Sequence, residues 1–171
     1  MNKGFFLATV LVPIGVAAQL SSQLGSEYVA LATTNKDSET RFKCKKVIGN
    51  WRTQSAVPSR DVVLSYSSFA GAFKKNSVWV TLQKPASGSG PKPPPDPYIP
   101  VTLKLKGVKE SVTVYAMKAD KFCVINCGVV KGKHRLVVMG KITMVKDLKT
   151  SAKTFGDEFL APFFASSVQY Q

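Results

Sequence analysis

The sequence predicts an all-β antiparallel fold closed by one C-terminal amphipathic helix, and three observations carry that reading. Short runs rich in Val, Ile, Phe and Tyr recur at intervals of about ten residues. Apolar and polar residues alternate within several of these runs, the period of a half-buried strand. Short turn sequences join the last four of them, which is what consecutive antiparallel pairing requires. With 171 residues, 44% apolar and 20% charged, the chain is suited to one globular domain rather than a disordered or fibrous polymer.

At the N-terminus, Met1-Asn2-Lys3 precedes an uncharged apolar stretch that ends in Val16-Ala17-Ala18. A charged start, an apolar middle and a small-residue exit form the pattern of a secretory signal, so residues 1–18 are expected to be a signal peptide and the protein to be secreted. The stretch is interrupted by Pro13 and falls short of the roughly 20 apolar residues a bilayer span needs, so no transmembrane span is expected. Residues 19–40 are rich in Ser, Thr, Gln and Ala with weak periodicity, and read as an irregular or partly helical arm. The domain itself is placed at 41–171.

Strands are expected over Asp61–Phe69, Ser77–Lys84, Val101–Lys106, Ser111–Lys118, Lys121–Val130 and Lys133–Val145, the last bent or broken at Gly140. In the second run Val78, Val80 and Leu82 alternate with Trp79, Thr81 and Gln83; in the third, Val101, Leu103 and Leu105 alternate with Thr102, Lys104 and Lys106. Residues 85–100 hold seven of the ten prolines. Proline cannot donate to a ladder, so this segment is a loop of polyproline character. After Asp147, the apolar positions Leu148, Ala152, Phe155 and Phe159 mark one face of a helix. Asp147 or Thr150 caps it, Pro162 ends it, and Gly156 costs about 1 kcal/mol in its interior. The helix is expected on the outside of the sheet.

Three cysteines in a secreted chain favour disulfide formation and leave one over. Cys123 and Cys127 lie four residues apart in one strand, roughly 13 Å at about 3.3 Å per residue, too far to bond to each other. The expected bridge therefore joins Cys44 to Cys123 or Cys127, and the spare thiol is either buried or a route to a disulfide-linked dimer; otherwise the protein is a monomer. His134 is the only histidine, which excludes metal centres that need several His or Cys ligands. No G-x-S-x-G, HExxH or phosphate-binding loop accompanies it. The protein is expected not to be an enzyme, and no metal or cofactor is expected.

Val47-Ile48-Gly49-Asn50-Trp51 resembles the G-x-W signature that opens the first strand of lipocalins. Met117-Lys118-Ala119-Asp120-Lys121-Phe122-Cys123 is similar to the second signature of that family, a T-D-Y turn, through Asp120 with Phe122 as the nearby aromatic. Val138-Met139-Gly140-Lys141 falls where the family has a Gly-Arg pair before its external helix, with Lys141 in place of the arginine. The resemblance covers roughly residues 41–165. It implies an up-and-down β-barrel of about eight strands, with Gly49, Trp51, Asp120 and Lys141 as structural residues closing its base. It also implies a small hydrophobic ligand carried in the barrel. The apolar faces offer Val78, Val80, Leu82, Leu103 and Leu105 as lining residues, followed by Tyr115, Met117, Phe122, Leu136 and Val138. A one-residue slip in register would move a whole strand's set to the other side.

Charge suggests a second theme. Twenty-four Lys and Arg against ten Asp and Glu give a formal net charge of +14, beyond the magnitude of about 2–8 that keeps a small domain soluble. Lys104, Lys106, Lys109, Lys118, Lys121, Lys131, Lys133, Arg135 and Lys141 crowd the second half, and Lys43, Lys45 and Lys46 form an earlier cluster. A polyanion is the expected partner of such a surface: a glycan, an acidic protein, an anionic membrane or nucleic acid, the last read without sequence specificity. The three functions that follow are a lipocalin-like carrier, a basic β-rich protein that binds a polyanion and has no cavity, and a coat-like assembly protein.

Overall fold

The computed structural model describes residues 27–32, 41–54, 64–83, 96–132 and 134–170. The expected signal peptide, most of the arm and most of the proline-rich loop lie outside the described residues. Among the described residues eleven strands form: β1 (Tyr28–Ala32), β2 (Arg41–Lys45), β3 (Val47–Ile48), β4 (Trp51–Gln54), β5 (Leu64–Ser68), β6 (Ser77–Gln83), β7 (Ile99–Leu103), β8 (Val112–Ala119), β9 (Phe122–Lys131), β10 (His134–Thr143) and β11 (Val168–Tyr170). Between β10 and β11 run α1 (Leu148–Phe155), a π-helical turn (Gly156–Leu160) and α2 (Ala161–Ser166). β1 falls inside the segment expected to be irregular. Its Leu31 is opposite Phe42 of β2, and both are buried, so a tertiary contact orders a stretch whose own propensity is weak.

Eight strands make one antiparallel sheet in the order β3-β4-β5-β6-β10-β9-β8-β7, and β1, β2 and β11 make a second of three strands with β2 in the middle. β7 to β10 pair consecutively, as their short turns predict. β3 to β6 pair consecutively too, and the up-and-down order breaks between β6 and β7, because β6 pairs with β10 and β7 lies at the far edge. The reason lies in the connection from Gln83 to Ile99: it is much longer than a hairpin loop and poor in backbone donors, so it does not tie β6 to its sequence neighbour. Among the described strands β3 and β7 are the sheet's two edges, and no pairing joins them.

The sheet is strongly curled, and the helix shows this. The Phe155 ring lies 5.7 Å from that of Trp51 in β4. The next residue, Gly156, lies so close to β7 that an added Cβ would come within 2.7 Å of Leu103 Cδ1. Six strand intervals, about 29 Å if flat, separate β4 from β7, whereas a helix is only ~10 Å across. One helix can touch both strands only if the sheet wraps around it. The helix therefore does not lie outside the sheet as expected; its apolar stripe is the filling of the curl. Phe155, Phe159 and Phe163 stack in a column with centroids 5.4 Å apart at each step, and all three are fully buried.

Asp147 is the N-cap, its carboxylate accepting from the Thr150 amide at 2.7 Å. Pro162 does not end the helix. It sits at the start of α2, where its missing N–H and the crowding of the carbonyl four residues back are absorbed by the π turn. The Ala161 amide accordingly bonds to the Gly156 carbonyl, five residues back. At the other end, Lys131 turns inward, Nζ donating to the Phe164 carbonyl and, at 2.7 Å, to that of Ser167. A cation on the last carbonyls of a helix complements its dipole. Lys131 thus leaves the set of surface charges to which its sequence neighbourhood assigned it.

Candidate binding face

Strand alternation gives the eight-stranded sheet two faces of different chemistry. On the inner face, register aligns Leu64, Val80, Val138, Cys127, Val114 and Val101 in one row across six strands, and all are buried. The next row, Tyr66, Val78, Gly140, Ile125 and Ala116, is buried as well. β10 runs unbroken through Gly140, which is needed there for close approach: a Cβ would meet Val78 Cγ1 at 2.5 Å and the Ser77 carbonyl at 3.0 Å. Tyr66 donates its hydroxyl to the Lys45 carbonyl at 2.7 Å, and burial raises its pKa.

Of the expected lining residues, Val78, Val80, Leu103, Leu105, Leu136 and Val138 are buried on this inner face, and Leu82 is half-buried beside them. They pack towards the helix: an added side chain on Gly156 would meet Leu103 and Leu105. Tyr115, Met117 and Phe122 face the other way. In β8 and β9 the inward positions belong instead to Val112, Val114, Ala116, Cys123, Ile125 and Cys127, the one-residue offset that alternation alone leaves open.

Register places Gly49, Trp51, Asp120 and Lys141 towards one end of the large sheet, though not on one face of it. Trp51 is fully buried on the inner face against Phe73, Phe155 and Phe159. Lys141 is on the outer face, its Nζ 4.2 Å from the centre of the Phe122 ring. Gly49 takes a φ of 53° in the turn between β3 and β4, and Asp120 a φ of 56° in the β8–β9 hairpin. The expected disulfide is not formed. Cys44, Cys123 and Cys127 are all free and buried, Cys44 in the small sheet and the other two in the large one. Burial pushes the Cys44 and Cys123 thiols up to about 11 and Cys127 to about 12, so they stay protonated at neutral pH.

The outer face is open and mixes cations with aromatic rings. Trp79, Met139, Asn126 and Tyr115 stand side by side across four strands, with Trp79 41% exposed. Arg52 stacks over the half-exposed Phe69 at 5.7 Å, and Lys141 over Phe122. Towards the opposite end of β9 and β10 from Lys141 and Phe122 lies a pocket of about 370 Å³, lined by Gln83, Glu110, Thr113, Tyr115, Asn126, Gly128, Arg135 and Met139 among others. Gly128 makes the pocket's arginine possible: an added Cβ would fall 2.9 Å from Arg135 Cδ and 3.1 Å from Cγ, so the stem of Arg135 lies where a side chain would stand. Of this set the sequence reading singled out Arg135 and Tyr115, but not Gln83, Asn126 or Gly128 as site residues. The signal available for them was the polar half of the alternation in β6 and β9.

Among the described residues no three His, Cys, Asp or Glu side chains gather as a metal site. None of the described helices is long and apolar enough to cross a membrane. No protein-family model matches the chain, and no curated protein matches it.

Proposed function

We propose that the protein binds an anionic polymer on the outer face of its large sheet. The observation that carries this reading is the division between the faces. The apolar face is occupied by the helix's phenylalanine column, while the open face presents Arg52, Arg135 and Lys141 beside Phe69, Tyr115 and Phe122. Guanidinium and ammonium groups supply attraction to anions, and the rings supply stacking area that keeps the contact from being purely ionic. The formal charge of +14 favours encounter with any polyanion.

The competing proposal is a lipocalin-like barrel closed around one small hydrophobic ligand. It needs an apolar void where Phe155, Phe159 and Phe163 now stack, which is why it ranks second. Retention of the protein on immobilised heparin and on an uncharged polysaccharide, across a range of salt, tests the choice. Binding to heparin that weakens linearly with the logarithm of salt, with none to the neutral matrix, is the expected result. Indifference to heparin at low salt, together with a small apolar molecule carried at one per chain, would replace this reading with the carrier.

A further inference from the structure

Resting on that reading, we infer that the pocket around Arg135 is a subsite for an acidic saccharide, a sugar that carries a carboxylate. The pocket's volume, about 370 Å³, lies within the ~300–1,000 Å³ typical of small-molecule sites. That is enough for a short saccharide and too small for a folded partner. Its chemistry is mixed in a particular way. Arg135 supplies a planar fork of donors, the geometry that meets a carboxylate with two parallel hydrogen bonds. Asn126 and Gln83 each bring both a donor and an acceptor, and Thr113 a hydroxyl of either kind. Tyr115 and Met139 give an apolar surface against which the C–H face of a sugar ring can lie.

Glu110 decides between the anionic polymers. Glu110 belongs to the same lining, and a carboxylate accepts hydrogen bonds. Sugar hydroxyls can donate to it. A DNA phosphodiester backbone has no hydroxyl to offer it, whereas a uronate can give its carboxylate to Arg135 and its hydroxyls to Glu110. The site is also held in place by the fold. Arg135 lies across Gly128 of the neighbouring strand, and the pocket floor is built from β8, β9 and β10, whose long pairings fix the spacing of Tyr115, Asn126 and Arg135.

The full chain would be titrated with a short oligogalacturonate, with the same oligosaccharide after reduction of its carboxylates to alcohols, and with a single-stranded oligonucleotide of equal charge. The expected result is saturable binding of the oligogalacturonate, at least tenfold weaker binding of the reduced sugar, and weaker binding of the oligonucleotide than of the oligogalacturonate. Arg135→Gln should lose tenfold or more for the uronate, with circular dichroism unchanged. Arg135→Lys should recover only part of that loss. Equal or tighter binding of the oligonucleotide, or uronate affinity unchanged in Arg135→Gln, would overturn the saccharide subsite while leaving polyanion binding intact. Failure of every anionic probe, heparin included, would remove both.

Discussion

Trp51 and Trp79 sit on opposite faces of the same sheet, and their surroundings differ in kind. Trp51 is fully buried, with three aromatic rings within about 6 Å of its own. Trp79 leaves 41% of its surface to solvent beside Met139, which is itself only half-buried. An exposed tryptophan on a sheet contributes little to stability for its size, whereas a buried one dominates its core. The inner face therefore answers to packing and the outer face to what it meets. Substitutions should separate the two, with large stability losses on one side and near-silence in stability on the other.

The largest effect is expected from Phe159→Ala, which opens a gap in the middle of the stacked column. It should cost ~3–5 kcal/mol in urea unfolding. A loss under about 1 kcal/mol would mean that the helix is not the filling of the curl. Next come two glycines, Gly140 of β10 and Gly128 of β9. Gly140→Ala forces a methyl against the β6 backbone and should cost ~1–3 kcal/mol. Gly128→Ala meets mainly the movable stem of Arg135 and should cost less, while shifting that arginine.

A third prediction concerns alkaline pH. Cys44, Cys123 and Cys127 have folded pKa values raised from the ordinary 9.0 to about 11 or 12. Between those limits the unfolded chain has lost thiol protons that the native state keeps, so the stability they contribute is fully present below pH 9 and falls as pH rises through 11. Burial lowers the pKa of Lys131, an effect of opposite sign, since there the unfolded chain holds the extra proton. Three thiols outweigh one amine, and the urea midpoint under reducing conditions should decline above pH 9. Cys127→Ala should flatten that decline; a midpoint that does not move between pH 9 and 11 would contradict the buried placement of the thiols. The smallest stability effect belongs to Trp79→Ala, within about 0.5 kcal/mol of the parent, as for surface sites generally.

How far the sequence revealed this division can be followed residue by residue. Local signals carried well. Asp147 as N-cap, the apolar stripe of Leu148, Ala152, Phe155 and Phe159, and the consecutive pairing of β7 to β10 all follow from short-range rules, and the structure has them. Long-range choices did not carry. Nothing local says that β6 pairs with β10 rather than β7, or that a helix packs inside a sheet rather than on it, because both depend on how a curled sheet buries its apolar face. The register of β8 and β9 was equally hidden. In Val112–Ala119 and Phe122–Lys131 apolar residues occupy both faces, so alternation offers two readings and only the partner strands choose between them. For the candidate site, Arg135 and Tyr115 were visible as residue types, but their place in one pocket, with Arg135 lying over Gly128, is a product of strand register.

The central claim is that the outer face, and not positive charge spread over the whole surface, binds the polyanion. The most direct measurement compares two charge-matched triple variants on immobilised heparin. Arg52→Gln, Arg135→Gln and Lys141→Gln remove three charges from the outer face; Lys43→Gln, Lys45→Gln and Lys46→Gln remove three from the β2 region. The outer-face variant is predicted to elute at clearly lower salt than the parent, with the β2 variant close to it. Equal shifts for the two would contradict a dedicated face and leave only a diffuse electrostatic attraction.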